Sequence, residues 1–419
     1  MDTCRIVGEA ESPGSLPMNR NASAPERSEA RLLTTGRGLR AFVDGFAAVL
    51  LPAYLLDLGF DTLDVGLIST ATLLGSSLAT VAVGTWGHHV HHRRLLLAAA
   101  MLMAGTGLGF AGFGEFWPLL TVAFIGTLNP GSGDVSVFLP LEHARLAATA
   151  QGHDRTVAFA RYSLTAALCA SVGALAAGAP DGLVRLGVDR LLALRAMFVV
   201  YAAAGLAVWG LYLRLPRPST HERSDPPAPL DRSRSIVVRL AALFSVDAFA
   251  GGLVVQSLLA LWLFQRFGLS LAAAGTFFFW SGLLTALSQL AAPWLARRIG
   301  LLNTMVFTHI PSSLALIAAA LATRVEVALG LLLLRAALSQ MDVPTRSAFV
   351  MAVVTPPERA AAASYTTVPR SLASAVSPSL GGALFSAGWL AAPLVACGVL
   401  KIVYDFALLA AFRRVRVDP

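Results

Sequence analysis

Four aspartates lie within long apolar stretches of the sequence: Asp44, Asp134, Asp247 and Asp342. If such a stretch crosses a lipid bilayer, a charge near its centre costs about 2.5–3.5 kcal/mol even on the mildest scales, so each carboxylate needs a physical reason. One reason is a buried ion pair that holds neighbouring helices together. The other is that the carboxylate binds and releases a proton as the protein works. The sequence leaves both roles open. We favour proton binding and release for Asp247 and the structural role for Asp44.

Arginines in the same kind of stretch provide partners for these acids. Arg335, Asp342 and Arg346 are seven and four residues apart, which places them within a stripe about 40° wide on one helix. Pro344 lies between the last two, and its missing N–H predicts a kink there. Arg370 lies in the next apolar stretch. We expect these arginines and the aspartates to form a substrate cavity or a proton-coupling site.

The only lysine of the chain, Lys401, lies four residues before Asp405. Side chains at this spacing meet on a helix surface, so we expect a structural ion pair between the two. A phosphate-binding loop needs a lysine directly after its last glycine, whereas Leu400 precedes Lys401. The sequence therefore lacks that kind of ATPase site, and we expect no enzyme activity.

A dense histidine cluster follows the second apolar stretch: His88, His89, His91 and His92. Such a cluster is able to bind a metal ion. The simpler interpretation is a neutral-to-basic loop between two helices, and we favour it. We accordingly predict no metal site and no cofactor.

Composition defines the elements that position these residues. Hydrophobic residues make up 56% of the chain and charged residues only 13%, too little charge to cover a soluble protein of this size. Apolar runs of about 20 residues, the length that crosses a bilayer, recur along most of the sequence. The net charge of +8 is carried by short loops between these runs. We predict an all-α membrane protein embedded in lipid, with no nucleic-acid partner.

Arginines are unevenly distributed between successive loops, and this asymmetry predicts orientation, since loops rich in Arg and Lys stay in the cytoplasm. The N-terminal tail, the central linker and the C-terminal tail all fall on the basic side. We therefore expect a multi-pass protein of the cytoplasmic (inner) membrane with both termini cytoplasmic. The predicted divisions are a disordered tail 1–37, a six-helix bundle 38–213, a linker 214–236, a second six-helix bundle 237–414 and a tail 415–419.

The two bundles resemble each other in sequence. The stretch around Asp44, VDGFA, has a counterpart around Asp247, VDAFA, and the region of Asp134 aligns with that of Asp342. Repeated halves that enclose a site near the middle of the membrane are a recurring design of secondary transporters.

Loop motifs add a family resemblance that covers the chain outside its first tail. After the second span, residues 84–93 read GTWGHHVHHR, which is similar to the signature G-x-x-x-D-R-x-G-R-[RK] of the major facilitator superfamily. His88 replaces the acidic residue of that signature, whereas Gly84 and Arg93 keep the family residues. The second half has Arg297, where the family has Asp, followed by Arg298 and Gly300.

The resemblance implies twelve transmembrane helices in two six-helix pseudo-symmetric bundles around a cavity. In that fold, spans one, four, seven and ten line the cavity, and these spans carry the four aspartates. It also implies that the two loops gate the inner face. The predicted gating residues are Gly84, His88, His89, Arg93, Arg297, Arg298 and Gly300.

The resemblance further implies a monomer that moves a small-molecule substrate by alternating access, and we favour proton-coupled export. One alternative is proton-linked uptake of a small organic anion, attracted by Arg335, Arg346 and Arg370. The other is a membrane sensor or scaffold that transports nothing.

Overall fold

The computed structural model describes residues 24–86, 90–131, 136–148, 152–216, 230–231, 233–355 and 358–413. Every regular element among them is an α-helix. The sixteen helices are α1 Ala24–Asp57, α2 Thr62–Trp86, α3 His92–Gly112, α4 Phe116–Ile125, α5 Phe138–Ala148, α6 Gly152–Ala176, α7 Ala179–Arg185, α8 Arg190–Leu213, α9 Arg234–Gly252, α10 Gln256–Phe267, α11 Leu271–Ile299, α12 Leu301–Leu321, α13 Val325–Ser339, α14 Asp342–Val353, α15 Arg359–Ser386 and α16 Ala392–Phe412.

These helices form the twelve spans that the sequence predicts, because three spans are each broken into two helices. The fourth span consists of α4 and α5, the seventh of α9 and α10, and the tenth of α13 and α14; the short α7 only connects α6 to α8. Ten segments among the described residues are long and apolar enough to cross a membrane on their own. The more polar α15 and the broken fourth span complete the set, which confirms the predicted fold class.

The tenth span is interrupted earlier than predicted. Helix α13 ends at Ser339 and α14 begins at Asp342, so Pro344 lies in the first turn of α14. Proline is tolerated there because the N–H of a first-turn residue has no helical partner. Arg335 is therefore on a different helix from Asp342 and Arg346, and the single stripe predicted for all three is wrong.

The first helix begins well before the predicted end of the N-terminal tail. Residues 24–37, which we assigned to a disordered tail, belong to α1. Leu33 is fully buried, and the Glu29 carboxylate lies 2.6 Å from the Arg145 guanidinium. Apolar burial and this ion pair give the segment a reason to fold. The predicted tail residues before 24 lie outside the described residues, as do 217–229 of the linker and 414–419 at the C-terminus.

The start of α15 is tied to the end of the linker by Glu358. Its carboxylate accepts hydrogen bonds from the backbone N–H groups of Asp231 and Ser233, at 2.7 and 3.0 Å, and from the Thr355 hydroxyl at 2.9 Å. Hydrogen bonds from Ser233 and the backbone of Asp231 lower the pKa of Glu358 to about 2, because they favour the ionised form.

The two bundles touch mainly at one end of the molecule. We call the end that holds the linker boundaries, Leu213 and Arg234, the linker end, and the opposite one the far end. Helix α2 packs along α15, and α6 packs along α11. The closest contacts of both pairs involve the far-end parts of these helices, around Gly66 with Gly382 and Gly275 with Ala174.

Small residues let the backbones meet directly at this far-end contact. A Cβ on Gly66 would lie 2.6 Å from the Pro378 carbonyl oxygen, and one on Gly275 would lie 2.4 Å from the Ala174 carbonyl oxygen. Both distances are too short for any side chain. The backbone N–H of Ser257, at the start of α10, also donates to the Pro130 carbonyl oxygen in the break of the fourth span, at 3.0 Å. The contact therefore joins backbone to backbone.

The apolar cores follow the same division. One core at the far end is shared by both halves and extends from Tyr54 in α1 to Trp262 in α10. At the linker end, the first half has a core of its own around Tyr212, and the second half has another around Phe349. The bundles are thus closed at the far end and separate at the linker end.

Candidate functional site

Asp247 is the centre of a buried charged cluster in the second half. Its carboxylate receives the Lys401 ammonium at 2.6 Å and the Arg346 guanidinium at 3.3 Å, and His309 Nε2 lies 3.8 Å away. Asp247 itself is 2% exposed. These partners come from α16, α14 and α12, three helices that are far from α9 in the sequence. One carboxylate therefore joins four helices.

A second carboxylate continues the cluster through histidine. Both oxygens of Asp405 lie close to His309 Nδ1, at 3.0 and 3.1 Å. With the imidazole proton on Nδ1, Nε2 is an acceptor for the Lys401 ammonium, 3.2 Å away. The result is a hydrogen-bonded chain in the order Asp405, His309, Lys401, Asp247.

Asp342 and Arg346 form the other side of the cluster. They pair directly across one turn of α14, and the same Nη2 atom of Arg346 also faces Asp247. The guanidinium carbon lies 5.3 Å from the centroid of the Phe244 ring, a position that adds a cation–π contact. We refer to Asp247, His309, Asp342, Arg346, Lys401 and Asp405 as the charged cluster.

The structure differs from the expectation for Lys401 and Asp405. The two do not pair with each other; Lys401 binds Asp247 and Asp405 binds His309. The i,i+4 rule describes helix surfaces in water, whereas α16 packs here against α9 and α12. Each of the two residues therefore pairs with a residue on a neighbouring helix and not with the other along α16.

The remaining arginines predicted for the site lie at its margins. Arg370, on α15, is close enough to interact electrostatically with Arg346, Asp247 and Asp342, but it forms no ion pair within the described part of the chain. Arg335, on α13, lies near Cys397 of α16 instead of joining Asp342. Of the three predicted arginines, Arg346 therefore belongs to the charged cluster, Arg370 borders it and Arg335 lies away from it.

The first half contains no equivalent cluster among the residues that the structure describes. Asp44 is half-buried, and one of its oxygens accepts a hydrogen bond from the Tyr201 hydroxyl at 3.2 Å. Asp134 lies outside the described residues. A separate buried group surrounds Glu142, whose carboxylate contacts Arg40 and the hydroxyls of Tyr162 and Tyr212. Glu142 is not among the predicted site residues, because it directly follows the apolar stretch that contains Asp134.

The predicted gating residues that the structure describes contact their own halves. Arg93 donates to the Leu213 carbonyl oxygen at the end of α8, at 2.8 Å. Arg298 stacks on Trp294 at 4.4 Å within α11, and Arg297 lies beside it in the last turn of that helix. Gly300 turns the chain into α12 with a φ of +87°, a value that favours glycine. Gly84 lies exposed near the end of α2.

His88 and His89 lie outside the described residues. The role of the two loops as gates stays a prediction.

His309 is the residue that the sequence could have revealed but did not. It is the one ionisable residue of α12 and is 3% exposed. An ionisable group at that depth needs a reason as much as an aspartate does. The residues predicted for the site are the acids and arginines of the spans, and this histidine is not among them.

Comparisons with known proteins agree on the fold. The family model of the Major Facilitator Superfamily matches residues 33–339. YJR124C, an uncharacterized membrane protein of Saccharomyces cerevisiae, is 22% identical over 418 residues, covering 91% of this chain and 93% of that protein.

Solved structures are similar over nearly the whole chain. A bacterial homologue of the human lysosomal transporter Spinster, in an inward-facing and unoccupied conformation, has a TM-score of 0.73 at 15% identity, covering 95% of this chain and 100% of that one. The nucleoside transporter NupG has a TM-score of 0.72 at 15% identity, covering 93% and 100%. At these identities the similarity establishes the fold.

Proposed function

The chain belongs to the major facilitator superfamily, and from this premise we propose that it exports a small organic solute across the cytoplasmic membrane in exchange for protons. Family members and structural relatives are solute transporters, which indicates a transporter rather than an enzyme. Exchange for protons, the direction and the solute are the new elements of the proposal.

The observation that carries the proposal is the hydrogen-bonded chain from Asp405 through His309 and Lys401 to Asp247. It contains two carboxylates, an imidazole and an ammonium group, all of which accept or release protons, in a region almost closed to water. The Lys401 side chain is the most accessible of the four, with 13% of its surface exposed. Histidine changes charge in the physiological pH range unless its surroundings prevent it.

A proton added to this series of hydrogen-bonded side chains alters the contacts between them. When His309 Nε2 takes the proton, it becomes a donor and no longer accepts a hydrogen bond from Lys401. The nearest acceptor for the new N–H is Asp247 Oδ1, 3.8 Å away, which Lys401 occupies at present. Lys401 and His309 then compete for one carboxylate, and α9, α12 and α16 must repack.

Asp247 is well placed to transmit such repacking to the contact between the halves. It lies on α9, about one turn before that helix ends at Gly252. Beyond the break, α10 packs against α1, and Ser257 donates to Pro130 of the first half. A shift of α9 therefore acts directly on the far-end contact.

We take the linker end to be cytoplasmic, as the arginine asymmetry predicts. Separate cores at that end are the arrangement expected of a state open to the cytoplasm, ready to accept a solute for export. Alternating access requires the complementary state, in which the linker end closes and the far end opens. A monomer is sufficient for this cycle, because both halves belong to one chain.

Flux measurements in liposomes test the proposal. Purified protein is reconstituted with a pH-sensitive dye inside, a pH gradient is imposed, and a panel of organic solutes is screened. Export by exchange predicts that each transported solute moves opposite to protons. Movement of both in the same direction would favour proton-linked uptake instead, and absence of any gradient-dependent flux would favour a sensor or scaffold.

Variants locate the proton site. We expect Asp247→Asn and His309→Gln to lose proton-coupled flux while still eluting as folded protein. The matched control is Asp57→Asn, which removes a carboxylate from a more exposed ion pair with Arg190 and should transport normally. Full coupling in both cluster variants would refute the assignment of the charged cluster as the proton site.

A further inference from the structure

Beside the charged cluster, three side chains present donors that no group among the described residues satisfies. We infer that Arg370, Arg346 and Tyr404 bind a carboxylate of the transported solute. This inference rests on the proposed transport function and adds the chemical class of the substrate.

The donors are buried yet unpartnered among the described residues. They are Nε and Nη1 of Arg346, Nε of Arg370 and the hydroxyl of Tyr404. Arg346 is 8% exposed and Tyr404 2%, so water reaches them poorly. Buried polar atoms are nearly always hydrogen-bonded in folded proteins. Four such atoms together indicate a site for a group that accepts hydrogen bonds.

The three side chains converge from different helices. Arg346 belongs to α14, Arg370 to α15 and Tyr404 to α16. Each interacts electrostatically with the other two, and the two guanidinium groups repel each other. Two like charges held together beside an unused hydroxyl donor form an arrangement that an anion stabilises.

Charge balance specifies the kind of anion. In the charged cluster, Asp342 and Asp247 are matched by Arg346 and Lys401, and Asp405 is bonded to His309. Arg370 adds one positive charge that has no ion pair within the described part of the chain. With Arg370 included, the cations Arg346, Lys401 and Arg370 equal the three aspartates in number, so a singly charged carboxylate adds less excess negative charge to the site than a phosphate dianion.

Geometry also favours a carboxylate. A guanidinium presents its donors in a planar fork that matches the two oxygens of a carboxylate. Arg346 uses Nη2 for Asp342 and Asp247, so one arm of each of its two forks is occupied and Nε and Nη1 act as single donors. The fork available to a solute is that of Arg370, which forms no ion pair within the described part of the chain. Of the three side chains only Tyr404 has an oxygen that can also accept, and an amine or another cation is repelled by the two guanidinium groups.

Ligand-induced thermal stabilisation in lipid nanodiscs tests the inference. The probes are monocarboxylates paired with their primary amides, beginning with benzoate and benzamide, in buffer free of other carboxylates. We expect at least one carboxylate to raise the melting temperature while its amide does not. Inorganic phosphate is tested in parallel and should have little effect.

Substitutions then connect the probe to the site. Loss of a charge-assisted hydrogen bond should weaken binding roughly tenfold to a hundredfold in Arg370→Gln, with a smaller loss in Tyr404→Phe. Arg370→Lys keeps the charge without the planar fork and should fall between wild type and Arg370→Gln. The control is Arg161→Gln, which alters an exposed arginine on α6 and should bind as wild type.

Several results would overturn the inference: stabilisation by no carboxylate, equal stabilisation by amides, preference for phosphate, or unchanged binding in Arg370→Gln. Different outcomes would contradict the proposed transport function. If carboxylates bind but no pH gradient drives flux, the substrate class stands and transport does not. If a gradient drives an uncharged solute equally in wild type and Arg370→Gln, transport stands and the carboxylate site does not.

Discussion

The contact between His309 and Asp405 gives the sharpest stability prediction. Asp405 is fully buried, and His309 is its hydrogen-bond partner among the described residues. His309→Leu therefore leaves a buried carboxylate unpaired, a change that typically costs about 3–5 kcal/mol. Asp405→Leu should cost less, because it removes the carboxylate itself and leaves the contact between His309 and Lys401 in place.

The double variant separates a specific interaction from general damage to the core. Replacing both members of a buried charged pair by apolar residues is often nearly neutral. His309→Leu combined with Asp405→Leu should accordingly be more stable than His309→Leu alone. The coupling between the two sites should have the magnitude expected for residues in contact, roughly 1–3 kcal/mol.

Thermal unfolding in nanodiscs measures this cycle. At about 2–4 °C per kcal/mol for a unit the size of one bundle, His309→Leu should lower the melting temperature by roughly 6–20 °C. The double variant should recover a clear part of that loss. Strictly additive losses would refute the reasoning, because they would mean that the two side chains stabilise the protein independently.

Three further predictions follow from other parts of the molecule. Arg370→Gln should raise the stability of the ligand-free protein, on the order of 1 kcal/mol, because it removes repulsion with Arg346; an unchanged or lower melting temperature would contradict this. Glu358 has a native pKa of about 2, below the usual value near 4.3. Its stabilising effect should therefore be complete above about pH 4.5 and decline toward pH 2, so the melting-temperature difference between wild type and Glu358→Gln should shrink over that range. Gly66→Val should separate the far-end contact and increase alkylation of a cysteine placed at Ser69, which is fully buried, in a background without native cysteines; unchanged labelling would show that the contact tolerates a side chain.

Local sequence rules were enough for the fold and for part of the site. Apolar runs of the right length predicted the spans, and the cost of a charge in lipid singled out Asp247 and Asp342. Both residues belong to the charged cluster. The same physical argument applies to any ionisable group in a span, and His309 would have followed from it.

Partner choice could not be predicted, because it depends on how helices pack. Lys401 has Asp405 one turn away along α16 but binds Asp247, which is 154 residues distant in sequence. Helix breaks could not be predicted either. Pro344 indicated a kink in the tenth span, but not that one helix would end at Ser339 and another begin at Asp342. Both outcomes depend on contacts between residues that are far apart in the sequence.

The far-end contact has a consequence for the surrounding lipid. Two bundles that touch at one end and separate at the other occupy unequal areas in the two leaflets of the membrane. When the protein switches to the opposite state, the larger area is in the other leaflet. Lateral pressure within each leaflet thus acts on the balance between the two states. Because the contact at Gly66 and Gly275 joins backbones and has no hydrophobic driving force in lipid, lipids that differ in headgroup size should shift that balance without touching the charged cluster.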